Sequence, residues 1–338
     1  MSEDAPVGWA VLGTANIARA AFLPALLRAG GGRVVVVGSR DLARGRAFAE
    51  REAPLATVGS YARALADPRV QAVYLPLPNH LHPAWAIRAL EAGKAVLCEK
   101  PLGLSVGKVE SILTAAERTG GLIWEAFVFP FHPQARRLQT LLAEGAIGEP
   151  REVLGGFHFR VRAPENIRWS AGCGGGALND VGCYPIHLAR LVFGTEPVAA
   201  RALERREGHE VDAETQGMLR FPAGRRLLFT CGLERAYDAE TRILGTEGAI
   251  RLSNPYHPDA ADVLELHRGT TVTRERLAGG EPSFTFAIRH IHRVLAGREG
   301  PLHLARDDAL GTARALELVR RHTESDHTVR GVRPRPAG

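Results

Sequence analysis

Through residue 125 the chain alternates short apolar runs with longer stretches of helical periodicity, a rhythm that few folds accept. Residues 9–12, 34–37, 72–75, 95–98 and 122–124 read as strands, and 16–29, 41–51, about 83–92 and 105–118 as helices. Four consecutive valines at 34–37 suit a strand buried on both faces. Asp41 stands where a helix cap is needed, and Gly93 where a helix should stop. A βαβα series of this kind specifies a doubly wound parallel sheet with helices on both sides.

The pattern changes past Glu125. A helix over 133–143 leads into a strand over 151–159, then a Gly-rich segment at 172–176 and a helix running through Phe193. From Val198 to about Thr273 short strands alternate with turns, and helices resume over 283–296 and 307–322. Strands gathered apart from helices predict an α+β unit on a large, mainly antiparallel, open-faced sheet. The expected division is a dinucleotide-binding Rossmann domain at 1–125, a substrate and oligomerisation domain at 126–325, and a basic tail at 326–338. The last helix is free to pack back on the first domain. A chain of 338 residues suits two cores better than one.

Gly13-Thr14-Ala15-Asn16-Ile17-Ala18 falls directly after the first strand and opens the first helix. It reads G-x-A-x-x-A, with alanine at two of the three glycine positions of the dinucleotide fingerprint. Gly13 still provides the tight turn, and the helix N-terminus offers free N–H groups and its positive dipole end to a pyrophosphate. At the end of the second strand, where an NAD enzyme places a carboxylate for the ribose diol, stand Ser39 and Arg40. A hydroxyl and a guanidinium suit a 2′-phosphate, which favours NADP as cofactor and leaves NAD as the lesser option.

Three further segments carry a family likeness: Leu75-Pro76-Leu77-Pro78-Asn79-His80-Leu81-His82, the Glu99-Lys100-Pro101 turn in an Ala-Gly-Lys context, and Gly174-Gly175-Gly176-Ala177-Leu178-Asn179-Asp180-Val181-Gly182-Cys183-Tyr184. Together the chain resembles the Gfo/Idh/MocA oxidoreductases, in the branch of the dihydrodiol and xylose dehydrogenases or the NDP-hexose 3-ketoreductases. The resemblance implies that Lys100 lies near the nicotinamide and that the Lys100–Pro101 bond is cis. It makes Tyr184 the general acid/base, helped by Lys100, with Asp180 orienting the substrate or the tyrosine. An ammonium hydrogen-bonded to a developing alkoxide is the stabilisation that hydride transfer to a carbonyl requires. Pro78, Asn79, His82 and Glu99 follow as cofactor contacts, and Arg168, Trp169 and His187 join Asp180 as candidate substrate residues. His187, three residues beyond Tyr184, is the rival proton donor. His80 and His82 read as helix-entry residues rather than a metal pair, and no metal site is expected.

The remaining composition excludes more than it assigns. A net charge of +6 comes from arginines spread along the whole chain, without the basic stripe that nucleic-acid binding requires. Four scattered cysteines form no CxxC pair and suit a reducing compartment. No apolar run is long enough to span a bilayer and the first residues are acidic, so the expected location is cytoplasmic. The function expected is NADP-dependent hydride transfer on a sugar or related polyhydroxylated small molecule, in a homodimer or homotetramer. An NAD-dependent glycosidase of the same fold and a non-catalytic dinucleotide or sugar sensor are the alternatives.

Overall fold

The computed structural model describes residues 5–206, 208–277 and 280–325, so the expected basic tail lies outside the described residues. The first half runs β1 (Val7–Leu12), α1 (Leu23–Ala29), β2 (Gly32–Gly38), α2 (Leu42–Glu52), β3 (Thr57–Gly59), α3 (Tyr61–Ala66), β4 (Ala72–Leu75), α4 (His82–Glu91), β5 (Ala95–Cys98), α5 (Val106–Thr119) and β6 (Ile123–Glu125). Its six strands pair in parallel in the order β3-β2-β1-β4-β5-β6, with the order reversing between β1 and β4. Ligands bind doubly wound sheets at such a reversal. Asp41 caps α2 by accepting from the backbone N–H groups of Ala43 and Arg44. β3 and α3 fall outside the expected elements; Ser60, whose hydroxyl accepts from the N–H of Arg63, starts α3.

The second half runs α6 (Pro133–Ala143), β7 (Pro150–Arg160), α7 (Cys183–Phe193), β8 (Ala199–Arg205), β9 (Glu214–Arg220), β10 (Arg226–Gly232), β11 (Glu234–Asp238), β12 (Thr241–Gly245), β13 (Ala249–Leu252), β14 (Leu264–Arg268), β15 (Thr271–Glu275), α8 (Ser283–Leu295), α9 (Ala305–Arg321) and β16 (Thr323–Ser325). The strand order is β15-β14-β13-β12-β7-β10-β9-β8-β16, with β11 added along the end of β7. Only the β7–β10 and β8–β16 pairs are parallel. Alternation decides the faces. Val153 and Phe157 of β7 and Leu227 and Phe229 of β10 are buried in the core with α7, whereas Leu228 and Met218 stand on the exposed face.

Neither of the two helices expected to be regular at their starts is so. Ala18–Phe22 and Leu178–Gly182 each make a π-helical turn before α1 and α7. A proline follows each turn, Pro24 and Pro185, and neither can donate a hydrogen bond to the carbonyl four residues back. The wider turn absorbs that missing bond.

Packing also cuts across the boundary at 125/126. Phe284, Ala287, Ile288 and Ile291 of α8 are buried with Trp9, Phe22 and Tyr74 of the parallel-sheet half, and Phe22 stacks on Tyr74 at 4.0 Å. The Trp9 indole N–H donates to His292 of α8 at 3.0 Å. Along α9, Ala305, Ala309 and Ala313 join the core of the first half while Leu316 and Val319 join that of the second. One helix thus touches both cores. Among the described residues no helix is long and apolar enough to cross a membrane.

Candidate active site

Gly13 follows β1, Ser39 and Arg40 follow β2, Pro78 and Asn79 follow β4, and Glu99 and Lys100 follow β5, all on the carboxyl edge of the parallel sheet. Gly13 takes φ of 108°, a conformation open to glycine, and a Cβ there would come within 3.1 Å of Leu77. The first bonds onto the Ala15 carbonyl come from the N–H groups of Ala18 and Arg19, and among the described residues no backbone carbonyl takes the N–H groups of residues 14–17. Thr14 and Ala15 are half-buried, and Asn16 and Ile17 exposed. Ser39 is buried and donates its hydroxyl to the Asp41 carbonyl at 2.6 Å, while Arg40 is exposed beside the Tyr61 hydroxyl. The nearby carboxylate, Asp41, is occupied as the cap of α2. Glycine turn, open helix start and a basic strand end fit a dinucleotide with a 2′-phosphate.

The Lys100–Pro101 peptide is cis. The lysine ammonium donates to the Asp180 carbonyl oxygen at 2.6 Å and to its carboxylate at 3.1 Å, and lies 5.0 Å from the centre of the Tyr184 ring. Arg168 donates to the other Asp180 oxygen at 2.5 Å. One half-buried carboxylate is therefore shared by two cations. Burial works against the charged form of Asp180, but Lys100 and Arg168 outweigh it and hold the carboxyl at about 2. Burial likewise disfavours the Lys100 ammonium, and Asp180, Tyr184 and their neighbours overcome it, so the lysine stays charged. For Tyr184, burial dominates and raises the phenol above its usual value, with Lys100 pulling the other way. The tyrosine is thus a neutral phenol at neutral pH, placed over a fixed cation. The π-turn that ends at Gly182 sets Asp180 and Tyr184 on the same side, with the Asp180 carbonyl turned to Lys100.

Three expectations are corrected. His82 is fully buried, and its ring nitrogens face the Pro101 carbonyl at 2.9 Å and the Leu77 carbonyl at 2.8 Å. It braces the lysine turn through Pro101 and has no surface for a cofactor or a metal shared with His80. His187 is also buried, held through Nδ1 by Asp308 at 2.8 Å and near Thr312 at 3.1 Å. The Phe127 ring stacks on His187 at 4.1 Å and meets Tyr184 edge-on at 5.3 Å, so it stands between the two. That removes His187 from the substrate residues and from the proton-donor role. Trp169 is buried and stacked on His209 at 4.0 Å, which leaves it core filler rather than a sugar platform. Two others take on local bonds: the Asn79 amide donates to the Gly174 carbonyl at 2.8 Å, tying the sheet edge to the Gly-rich segment, and Glu99 accepts from the Tyr74 hydroxyl at 2.6 Å.

Glu125 and His257 also stand at the site, beyond the expected residues. Glu125 ends β6 and accepts the Leu102 N–H at 2.7 Å, clamping the turn that carries Lys100 one residue beyond the Pro101 carbonyl that His82 meets. Nothing in the pattern around Glu125 announced this, because the partner is set by strand order. Burial is the largest influence on Glu125 and lifts it to about 8, against about 4.3 for an unfolded glutamate. Raised in the fold, this group favours folding fully below the unfolded value, and that support is lost as pH rises through 8. Urea midpoints should therefore fall from pH 5 to pH 9 in the parent and fall less in Glu125→Gln; equal slopes would remove Glu125 as the cause.

Residues 7–127 match the oxidoreductase family described as an NAD-binding Rossmann fold, and residues 135–251 the GFO/IDH/MocA C-terminal domain. The chain is 38% identical over 324 residues to an uncharacterised oxidoreductase of Rhizobium meliloti, covering 94% of this chain and 97% of that one. It is 34% identical over 328 residues to dTDP-3,4-didehydro-2,6-dideoxy-alpha-D-glucose 3-reductase of Streptomyces violaceoruber, covering 95% of each. Among solved structures, a 3-ketoreductase from Actinomadura kijaniata in complex with NADP and TDP-benzene superposes with a TM-score of 0.86 at 32% identity, covering 95% of this chain and 98% of that one.

Proposed function

Because the chain belongs to the Gfo/Idh/MocA oxidoreductase family, we propose that it is an NADP-dependent enzyme interconverting a CH–OH and a C=O group on a sugar or sugar derivative. The observation that carries this reading is the Lys100 ammonium, pinned by Asp180 and lying against the face of Tyr184 at the sheet edge. Gly13, Thr14, Ala15, Asn16 and Ile17 hold the pyrophosphate, Arg40 the 2′-phosphate, with Ser39 shaping the strand end through its bond to Asp41, and Pro78, Asn79 and Glu99 the nicotinamide end. Bound there, the cofactor supplies or accepts the hydride.

The chain's own residues handle the proton. In the reducing direction Tyr184 gives its hydroxyl proton to the substrate oxygen as that oxygen gains charge, and the phenolate left behind is stabilised by Lys100. Solvent then reprotonates the tyrosine. Arg168 keeps Asp180 ionised and in place, so that Lys100 stays charged and fixed. In the oxidising direction the same proton returns to the tyrosinate. The exposed face of the large sheet, with Leu203, Met218 and Leu228 on it, is covered by a second copy in a homodimer or homotetramer, which the mass in solution reads.

The test is NADPH oxidation and NADP⁺ reduction across aldoses, inositols, dihydrodiols and nucleotide sugars with their keto forms. Turnover with at least one, and slower turnover with NADH, is expected. Tight NADPH binding with no turnover across the set would overturn the enzymatic reading.

A further inference from the structure

Tyr184 faces a wall built from the second sheet. Phe157 of β7, Tyr256 and His257 surround its ring at centroid distances of 5.1, 5.2 and 5.5 Å. Tyr256 and His257 lie in the loop after β13, and that loop is held by its own side chains. The Asn254 amide bonds the His257 backbone in both directions, donating to its carbonyl at 2.8 Å and accepting its N–H at 3.1 Å. Further along, the Ser253 hydroxyl donates to Asp262 at 2.6 Å and accepts the Val263 N–H at 3.0 Å.

This latch fixes the main chain of His257 and leaves its ring free. Among the described residues the imidazole has no hydrogen bond, and it lies beside Tyr184 on an exposed residue, close enough to feel the charges of Lys100 and Asp180. Tyr237 of β11, 57% exposed, meets Phe157 at 6.0 Å and bounds the same wall. The groups packed about the imidazole, Lys100 among them, lower its pKa from the ordinary histidine value. At neutral pH the ring is thus uncharged, with one N–H to donate and one nitrogen to accept. A hydroxyl group has the same double capacity.

Resting on the functional reading above, we propose that His257 is a substrate-binding residue that hydrogen-bonds a hydroxyl beside the reacting carbon and so selects polyhydroxylated substrates. A ring with no structural bond, carried by a loop that is latched without it and placed against the proton-donating tyrosine, is preorganised for a ligand. Because Asn254 holds only the backbone, His257→Ala should keep the fold.

The experiment compares the parent and His257→Ala on a turned-over substrate and on its analogue lacking the hydroxyl next to the reacting carbon. In the parent, kcat/KM should favour the hydroxylated substrate by roughly 3- to 10-fold, the size of one net hydrogen bond. In His257→Ala that preference should collapse to near unity through KM, with NADPH affinity unchanged and His257→Gln restoring part of it. A preference kept intact in His257→Ala overturns the assignment. If the parent turns over no carbonyl or alcohol, the enzymatic reading fails separately, and the same ligand pair is titrated into NADPH-bound protein. There, loss of the affinity ratio in the variant still supports the subsite, and an unchanged ratio sinks it.

Discussion

Tyr184→Phe is expected to lower kcat by roughly 10²- to 10⁴-fold, the usual cost of removing a positioned general acid. The reasoning is geometric: the phenol sits on the Lys100 ammonium, so the charge it acquires on giving up its proton is met by a fixed cation. Removing one hydroxyl leaves the ring contacts with Phe127, Phe157 and Tyr256 in place, and NADPH affinity and thermal midpoint should stay near the parent's. Lys100→Met should fall in a similar range, with Asp180 still paired to Arg168. His187→Asn is the decisive contrast. It loosens the contact with Asp308 and should cost stability, yet turnover at a permissive temperature should remain within a few-fold of the parent. Turnover surviving in Tyr184→Phe and lost in His187→Asn would exchange the two roles.

Arg40→Ala should weaken NADPH binding by about 10- to 100-fold and leave NADH binding nearly unchanged. A hydrogen bond to a charged group contributes about 1.5–3 kcal/mol net, and each 1.4 kcal/mol is about tenfold in affinity. The side chain is exposed at the strand end, and the neighbouring carboxylate of Asp41 is occupied by the α2 cap, so the structure offers a 2′-phosphate a donor and no competing acid. Raising the salt concentration should erode the NADPH preference of the parent more than that of the variant. Equal losses for both dinucleotides in fluorescence titrations would instead mean that Arg40 serves the shared part of the cofactor.

Local chemistry made most of the frame readable. The Asp41 cap, the Gly13 turn and the valine run of β2 each act within a few residues, so their spacing carries the information. The same holds for Lys100, placed by the turn after β5, and for Tyr184, four residues beyond Asp180. The short β3–α3 unit is not legible, because a three-residue strand leaves no period to read.

Legible in the residues alone are thus the order of elements apart from β3 and α3, the edge on which Gly13, Arg40, Asn79 and Lys100 gather, and the pairing of an acid with a tyrosine on one turn. The tertiary structure alone decided which way the remaining rings face. His82 turns inward because two carbonyls of its own half meet it there, and His187 turns to Asp308 because α9 returns across both cores. Phe127 fills the space between His187 and Tyr184, and Glu125 finds the lysine turn because β6 pairs beside β5. His257 arrives from a loop far along the chain. Periodicity and turn chemistry are set by neighbours in sequence, whereas a side chain's partner is set by contacts that only packing brings together.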